Sequence, residues 1–178
     1  MLTEFNPESD SWIEIERIYT EAFPPEELRP VEDLRRRAES HDNPLRLLIV
    51  RDDRNEIAGL ITCWCFPGFT YVEHFAVDNS LRGRGIGSNA MREFLSSLSV
   101  PAVLEVEPCG LNEMAARRIA FYEKLGLGII DYDYVQPPYA PGLPEVRLKL
   151  MSTDPAKTHP SEIEKILHRE VYGVGRIE

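Results

Sequence analysis

Long apolar runs, excess basic charge and clustered metal ligands are all scarce in this sequence, and each shortage removes a class of function. No stretch approaches the roughly 18 apolar residues of a membrane-spanning helix, and the opening "MLTEFNPESD" lacks the basic-then-apolar pattern of a signal peptide. A cytoplasmic protein with no membrane partner is therefore expected. Lys and Arg number 20 against 30 Asp and Glu, and this net charge of −10 argues against a nucleic-acid partner, because holding phosphates normally takes a basic surface. The same acidity suits a cationic substrate, or serves solubility alone. Cysteine is limited to Cys63, Cys65 and Cys109; the odd count, and the alternation of the first two along a strand, read as reduced core residues. The histidines, His41, His74, His159 and His168, are too scattered to complete a zinc site, so no metal is expected.

What is present is a chain of 178 residues, 43% hydrophobic, long enough to bury one core. In "SDSWIEIERIYTEAFPP", Trp12, Ile15, Tyr19 and Ala22 share a helical face that Pro24 and Pro25 end. A weaker helix carries Val31, Leu34 and Ala38. "LRLLIVRDDRNEIAGLITCWCF" reads as two strands joined by Asp52, Asp53 and Asn55 in a hairpin turn. "FTYVEHFAV" is a further strand, on which strict alternation puts Tyr71, Glu73 and Phe75 on one face and Val72, His74 and Ala76 on the other. Ile86, Ala90, Met91, Phe94, Leu95 and Leu98 then recur at helical spacing. "AVLEVE" is a strand, and "LNEMAARRIAFYEKLG" a helix with Met114, Ile119, Phe121, Tyr122 and Leu125, capped by Gly126. Two closing strands flank "QPPYAPGLP". The order is strand, two helices, three strands, helix, strand, helix and two strands, an α/β chain with a mixed, mostly antiparallel central sheet flanked by helices. Residues 1–152 form the expected domain, and 153–178 a polar tail with room for one short helix outside the core.

Between the third of those strands and the helix that follows lies "LRGRGIG". A nucleotide P-loop needs Gly-Lys-Ser/Thr after a four-residue gap, which does not occur, and the run Gly83, Gly85, Gly87, Ser88 departs from the dinucleotide fingerprint G-x-G-x-x-G. Glycines ahead of a helix still let the backbone approach an anion, and the first helical turn offers free N–H groups and the positive end of its dipole. Arg82 and Arg84 beside them favour a pyrophosphate.

Together these residues resemble the acyl-CoA signature of the GNAT superfamily of N-acetyltransferases, Gln/Arg-x-x-Gly-x-Gly/Ala, with Arg82, Gly85 and Gly87 at its specified positions. Downstream, "RRIAFYEKLGL" resembles the family's second motif, in which Leu127 stands for a phenylalanine. The resemblance spans Met1 to about Met151. It implies that Arg82, Gly83, Arg84, Gly85, Ile86, Gly87 and Ser88 bind the pyrophosphate of acetyl-CoA, with the pantetheine arm in a splay between the strands "TYVEHFAV" and "AVLEVE". It further implies that a backbone N–H around Phe75, Ala76 and Val77 stabilises the oxyanion. Many relatives carry an asparagine seven residues before the tyrosine; here that position is Ala115, and Asn112 lies three residues upstream.

An amine of pKa about 10.4 is mostly protonated at pH 7, so a base must free it before it attacks a thioester. Glu73, Glu105 and Glu107 are the acidic residues on the two relevant strands. Glu73 comes first, because it shares a face with Tyr71 and Phe75, and Glu105 next. Tyr122, at the motif's tyrosine, is the candidate acid for the departing thiolate. His74 is read as a satisfied core histidine. The tyrosines Tyr132, Tyr134 and Tyr139 around the proline-rich loop frame either an acceptor mouth or an ordinary crossover. The expected activity is acetyl transfer from acetyl-CoA to a primary amine, probed against a non-catalytic acyl-CoA-binding module and a phosphate-binding module; a homodimer is compatible with the sequence.

Overall fold

A computed structural model describes residues 1–40 and 42–174; His41 and residues 175–178, the end of the expected tail, lie outside the described residues. The chain forms two compact units, Met1–Val100 and Pro101–Glu178.

In the first unit, strands β1 (Leu2–Glu4), β2 (Leu45–Arg51), β3 (Ile57–Cys65) and β4 (Thr70–Val77) lie in sequence order, each antiparallel to the next. The β2–β3 hairpin turns where expected, and Asn55 takes the left-handed conformation at φ 65 that Asn tolerates better than most residues. Three helices accompany the strands: α1 (Trp12–Ala22), α2 (Val31–Glu39) and α3 (Ile86–Ser97). Their buried residues, Ile15, Ile18 and Tyr19, then Leu34, then Ala90, Met91 and Phe94, fall at helical spacing, so each helix hides one stripe. Every residue of β3 but the last is buried, which is why that segment reads as a continuous apolar run. Cys63 belongs to this core, but Cys65 at the strand end is exposed, as is Cys109, so the reading of all three as core residues is corrected.

The second unit orders its strands β5 (Ala102–Val106), β7 (Val146–Ser152), β6 (Gly128–Gln136), all antiparallel. Helix α4 (Glu113–Glu123) buries Ala115, Ile119 and Tyr122, while Met114, expected on the apolar face, is 63% exposed. Helix α5 (Pro160–Ile166) runs on into a π-helical turn (Leu167–Val171). The polar composition of residues 153–178 predicts a short helix here, outside the core. Ile163, Leu167 and Val171, spaced four apart, are instead buried on one face, and His168 contacts the Val135 carbonyl through Nε2 at 2.9 Å. Among the described residues no helix is long and apolar enough to cross a membrane.

Candidate active site

The glycine turn is built from β4 forward. Asp78 follows the strand, and its carboxylate accepts from the Ser80 backbone N–H at 2.8 Å and from the Ser80 hydroxyl at 2.6 Å, which caps a 3-10 turn over Asn79–Leu81. Arg17 of α1 pairs with the same carboxylate. The Ser80 and Arg17 contacts hold the Asp78 carboxyl down at about 2. Gly83 and Gly85 both sit at φ +79, in the left-handed region that a side chain disfavours, and a Cβ at either would project into open space. Gly87 has a different reason: its Cβ would stand 3.3 Å from both Phe75 and Val77, so a bare α-carbon lets α3 approach β4.

Helix α3 has no side-chain cap, and its ladder begins with the Asn89 N–H donating to the Gly85 carbonyl at 3.0 Å. The N–H groups of Ile86, Gly87 and Ser88 precede that bond and so lack helical acceptors. Open glycines, unclaimed donors and the positive helix end make a fitting cradle for a pyrophosphate. Arg82 and Arg84 are exposed; Arg82 Nε donates to the Val77 carbonyl at 3.4 Å and Arg84 Nη2 to the Ser80 carbonyl at 3.5 Å.

Strand β4 departs from the strict alternation expected of it. Thr62 pairs with His74 and Cys63 with Val72, so Glu73 is an extra residue, a β-bulge. Beyond it the phase is reversed: Tyr71 and Phe75 lie on opposite faces, and Val72 and His74 do too. Glu73 reaches Arg29, in the linker between α1 and α2, while His74 Nε2 lies 3.3 Å from the Tyr19 hydroxyl of α1. The Glu73 side chain is 0% exposed; Oε1 accepts from Arg29 Nη2 at 2.7 Å and Nε at 3.0 Å, and Oε2 from Trp64 Nε1 at 2.9 Å. Burial alone would raise this carboxyl, but the Arg29 guanidinium and the hydrogen bonds from Arg29 and Trp64 outweigh it and hold Glu73 below its ordinary range. The shared face that ranked Glu73 first is thus corrected by the bulge. His74 is a satisfied core histidine as expected, with Thr62 Oγ1 3.0 Å from Nδ1 and the Glu27 carbonyl 2.9 Å from Nε2; burial lowers its pKa and keeps it neutral.

In the second unit, α4 starts at Asn112, whose side chain accepts from the Ala115 N–H at 2.8 Å; the displaced asparagine is the helix N-cap. The helix closes on Tyr122, whose carbonyl accepts from Leu127 at 3.1 Å while Gly126 donates to Glu123 at 3.0 Å, with Gly126 at φ +91. Tyr122 is buried, and burial pushes its phenol up to about 12 despite Arg118, so it keeps its proton at neutral pH. Glu107 is tied to Arg118 Nη1 at 2.7 Å. Glu105 is half-buried on β5 and accepts from the Tyr172 hydroxyl at 2.9 and 3.2 Å. Sequence reasoning missed Arg29 and Tyr172, which lie 44 and 67 positions from the carboxylates they bind, and Trp64, nine positions from Glu73 on the adjacent strand. Among the described residues no group of three or more His, Cys, Asp or Glu could hold a metal.

The sequence matches the Acetyltransferase (GNAT) family over residues 12–127. A structure assigned to the GNAT acetyltransferases, from Bacteroides thetaiotaomicron, is 35% identical, with 98% of this chain and 99% of that chain covered at a TM-score of 0.88. The fold class expected from the sequence is therefore observed. A spermidine N-acetyltransferase chimera from Vibrio cholerae and hSSAT matches at 15% identity, covering 85% of this chain and 95% of that chain, TM-score 0.64. A GNAT family acetyltransferase from Elizabethkingia anophelis with acetyl-CoA bound matches at 14% identity, covering 85% and 95%, TM-score 0.58. A comparison with curated proteins found no match.

Proposed function

Because the chain belongs to the GNAT acetyltransferase family, we propose that it moves the acetyl group of acetyl-CoA onto a primary amine of a small molecule or peptide by direct attack. The observation that carries this reading is the turn from Arg82 to Ser88: two glycines at positive φ, open on the side a Cβ would fill, ahead of an uncapped helix. Those residues hold the pyrophosphate of the co-substrate, and backbone N–H groups of Phe75, Ala76 and Val77 stabilise the oxyanion.

Glu105 takes a proton from the substrate ammonium, directly or through a water, so that the free amine attacks the thioester carbonyl; as the C–S bond breaks, Tyr122 gives a proton to the departing thiolate. Two facts favour Glu105 over Glu73 as the base: it is half-buried rather than sealed, and Glu73 has Arg29 on one oxygen and Trp64 on the other. Glu73 instead anchors the bulge of β4. An amine that is cationic in solution fits the net charge of −10, and one structural neighbour is a spermidine N-acetyltransferase.

The test is incubation with acetyl-CoA and a panel of polyamines, amino acids, aminoglycosides and peptides, with mass spectrometry of the amines. One acceptor class gaining one acetyl group per CoA thiol released supports the reading. CoA bound with no acceptor modified points to a binding module.

A further inference from the structure

We propose that Tyr172, delivered by the C-terminal helix, is a positioning residue that holds the Glu105 carboxylate in its ionised, oriented form. The proposal rests on the reading of Glu105 as the base and deepens it.

Three observations converge on the pair. Tyr172 Oη is 2.9 Å from one Glu105 oxygen and 3.2 Å from the other, so the phenol addresses both oxygens of the carboxylate. Its position is built by the backbone: the Tyr172 N–H closes the π-helical turn on the Leu167 carbonyl at 3.1 Å. Gly173, at φ +73, then reverses the chain so that the Val174 N–H donates to the His168 carbonyl at 2.7 Å. Single π-helical turns recur at functional sites, because the extra residue re-aims one side chain. Finally, the ring is boxed in, with Tyr139 at a centroid distance of 5.0 Å and His168 edge-on at 6.5 Å.

The buried stripe of Ile163, Leu167 and Val171 explains why a polar C-terminal segment docks at all, and its outcome is to bring a hydroxyl to β5. Other titratable groups of this cluster are the buried Tyr134 of β6, which neighbours Glu105, then Tyr139 and His168. Glu107, two residues along, is ion-paired with Arg118. A phenol that donates to a carboxylate stabilises the charged form and fixes the lone pair left for a proton. The segment beyond residue 152 thereby serves the chemistry of the preceding fold.

The experiment is a carbon-13 NMR titration of the Glu105 carboxyl in the full chain, for the natural protein, Tyr172→Phe and Tyr132→Phe. Tyr132 also bonds the C-terminal helix, but its hydroxyl donates to Glu164, at 2.6 Å. The expected result is a midpoint raised by about one pH unit in Tyr172→Phe, a tenfold change in proton affinity, and unchanged in Tyr132→Phe. An unmoved midpoint in Tyr172→Phe, or an equal shift in both variants, overturns the proposal. Alongside it, the pH profile of kcat/KM with acetyl-CoA and spermidine is read for Tyr172→Phe and Glu105→Gln. A full rate in Glu105→Gln removes Glu105 as the base, whatever the titration gives. An inactive Glu105→Gln with an unmoved acid limb in Tyr172→Phe removes only the positioning role.

Discussion

Arg29 grips Glu73 through two nitrogens, Nη2 at 2.7 Å and Nε at 3.0 Å, with the two side chains 5% and 0% exposed. The contact crosses 44 positions of sequence and ties the linker between α1 and α2 to the bulge of β4. Taking one partner from a buried pair leaves an uncompensated charge, so Arg29→Met should destabilise the fold by about 3–5 kcal/mol. Adding Glu73→Leu to Arg29→Met should restore part of that loss. Urea unfolding of the two variants checks both statements, and a double variant weaker than the single one contradicts the account.

Asp33 gives a pH dependence whose sign follows from its partners. Burial raises its carboxyl, but hydrogen bonds from Arg37, Arg29 and Arg36 outweigh that and bring it from 3.8 to about 2. A depressed carboxyl contributes stability that is whole above its unfolded value and lost as pH falls toward its folded one. Asp33→Asn should therefore flatten the stability curve between about pH 4 and pH 2, measured by thermal unfolding across that range.

At the glycine turn, charge and backbone strain separate cleanly. Gly85 sits at φ +79, so Gly85→Ala should cost about 1–2 kcal/mol of stability while CoA still binds. Gly85→Glu adds a carboxylate to the pyrophosphate cradle and should abolish binding. Calorimetric titration with CoA distinguishes them; normal binding by Gly85→Glu removes the cradle assignment.

Tyr122→Phe removes the hydroxyl and keeps the ring in its buried place. Turnover should fall by about a hundredfold or more, with CoA affinity nearly unchanged, because a general acid acts only in the transition state. An unchanged rate excludes the phenol from the mechanism.

Leu167 is 0% exposed in the π-helical turn. Leu167→Ala should cost about 2–5 kcal/mol as a core cavity does, seen as a lower denaturant midpoint. A shift of a few tenths would mean that the C-terminal segment is loosely held.

Most elements are legible in the sequence because their periods are strong: the stripe Ala90, Met91, Phe94 and the run from Ile57 to Trp64 specify helix and buried strand directly. The glycine turn is legible as well, since positive φ at Gly83 and Gly85 leaves few residue choices. The bulge at Glu73 is not, because alternation assumes an unbroken period of two and a one-residue insertion reverses every later side chain. Arg29 and Tyr172 are also hidden: their partners lie 44 and 67 positions away, and nothing local in "EELRPVE" or "REVYGVG" marks them. The polar character of the C-terminal segment masks the four-residue spacing of Ile163, Leu167 and Val171 that docks it.

The most direct test of the central claim is release of CoA thiol from acetyl-CoA, followed with and without a primary amine, for the natural chain and for Gly85→Glu. The account predicts release that requires the amine, rises with its concentration, and disappears in Gly85→Glu. Amine-dependent release that survives in Gly85→Glu, or none with any amine although CoA binds, would contradict it.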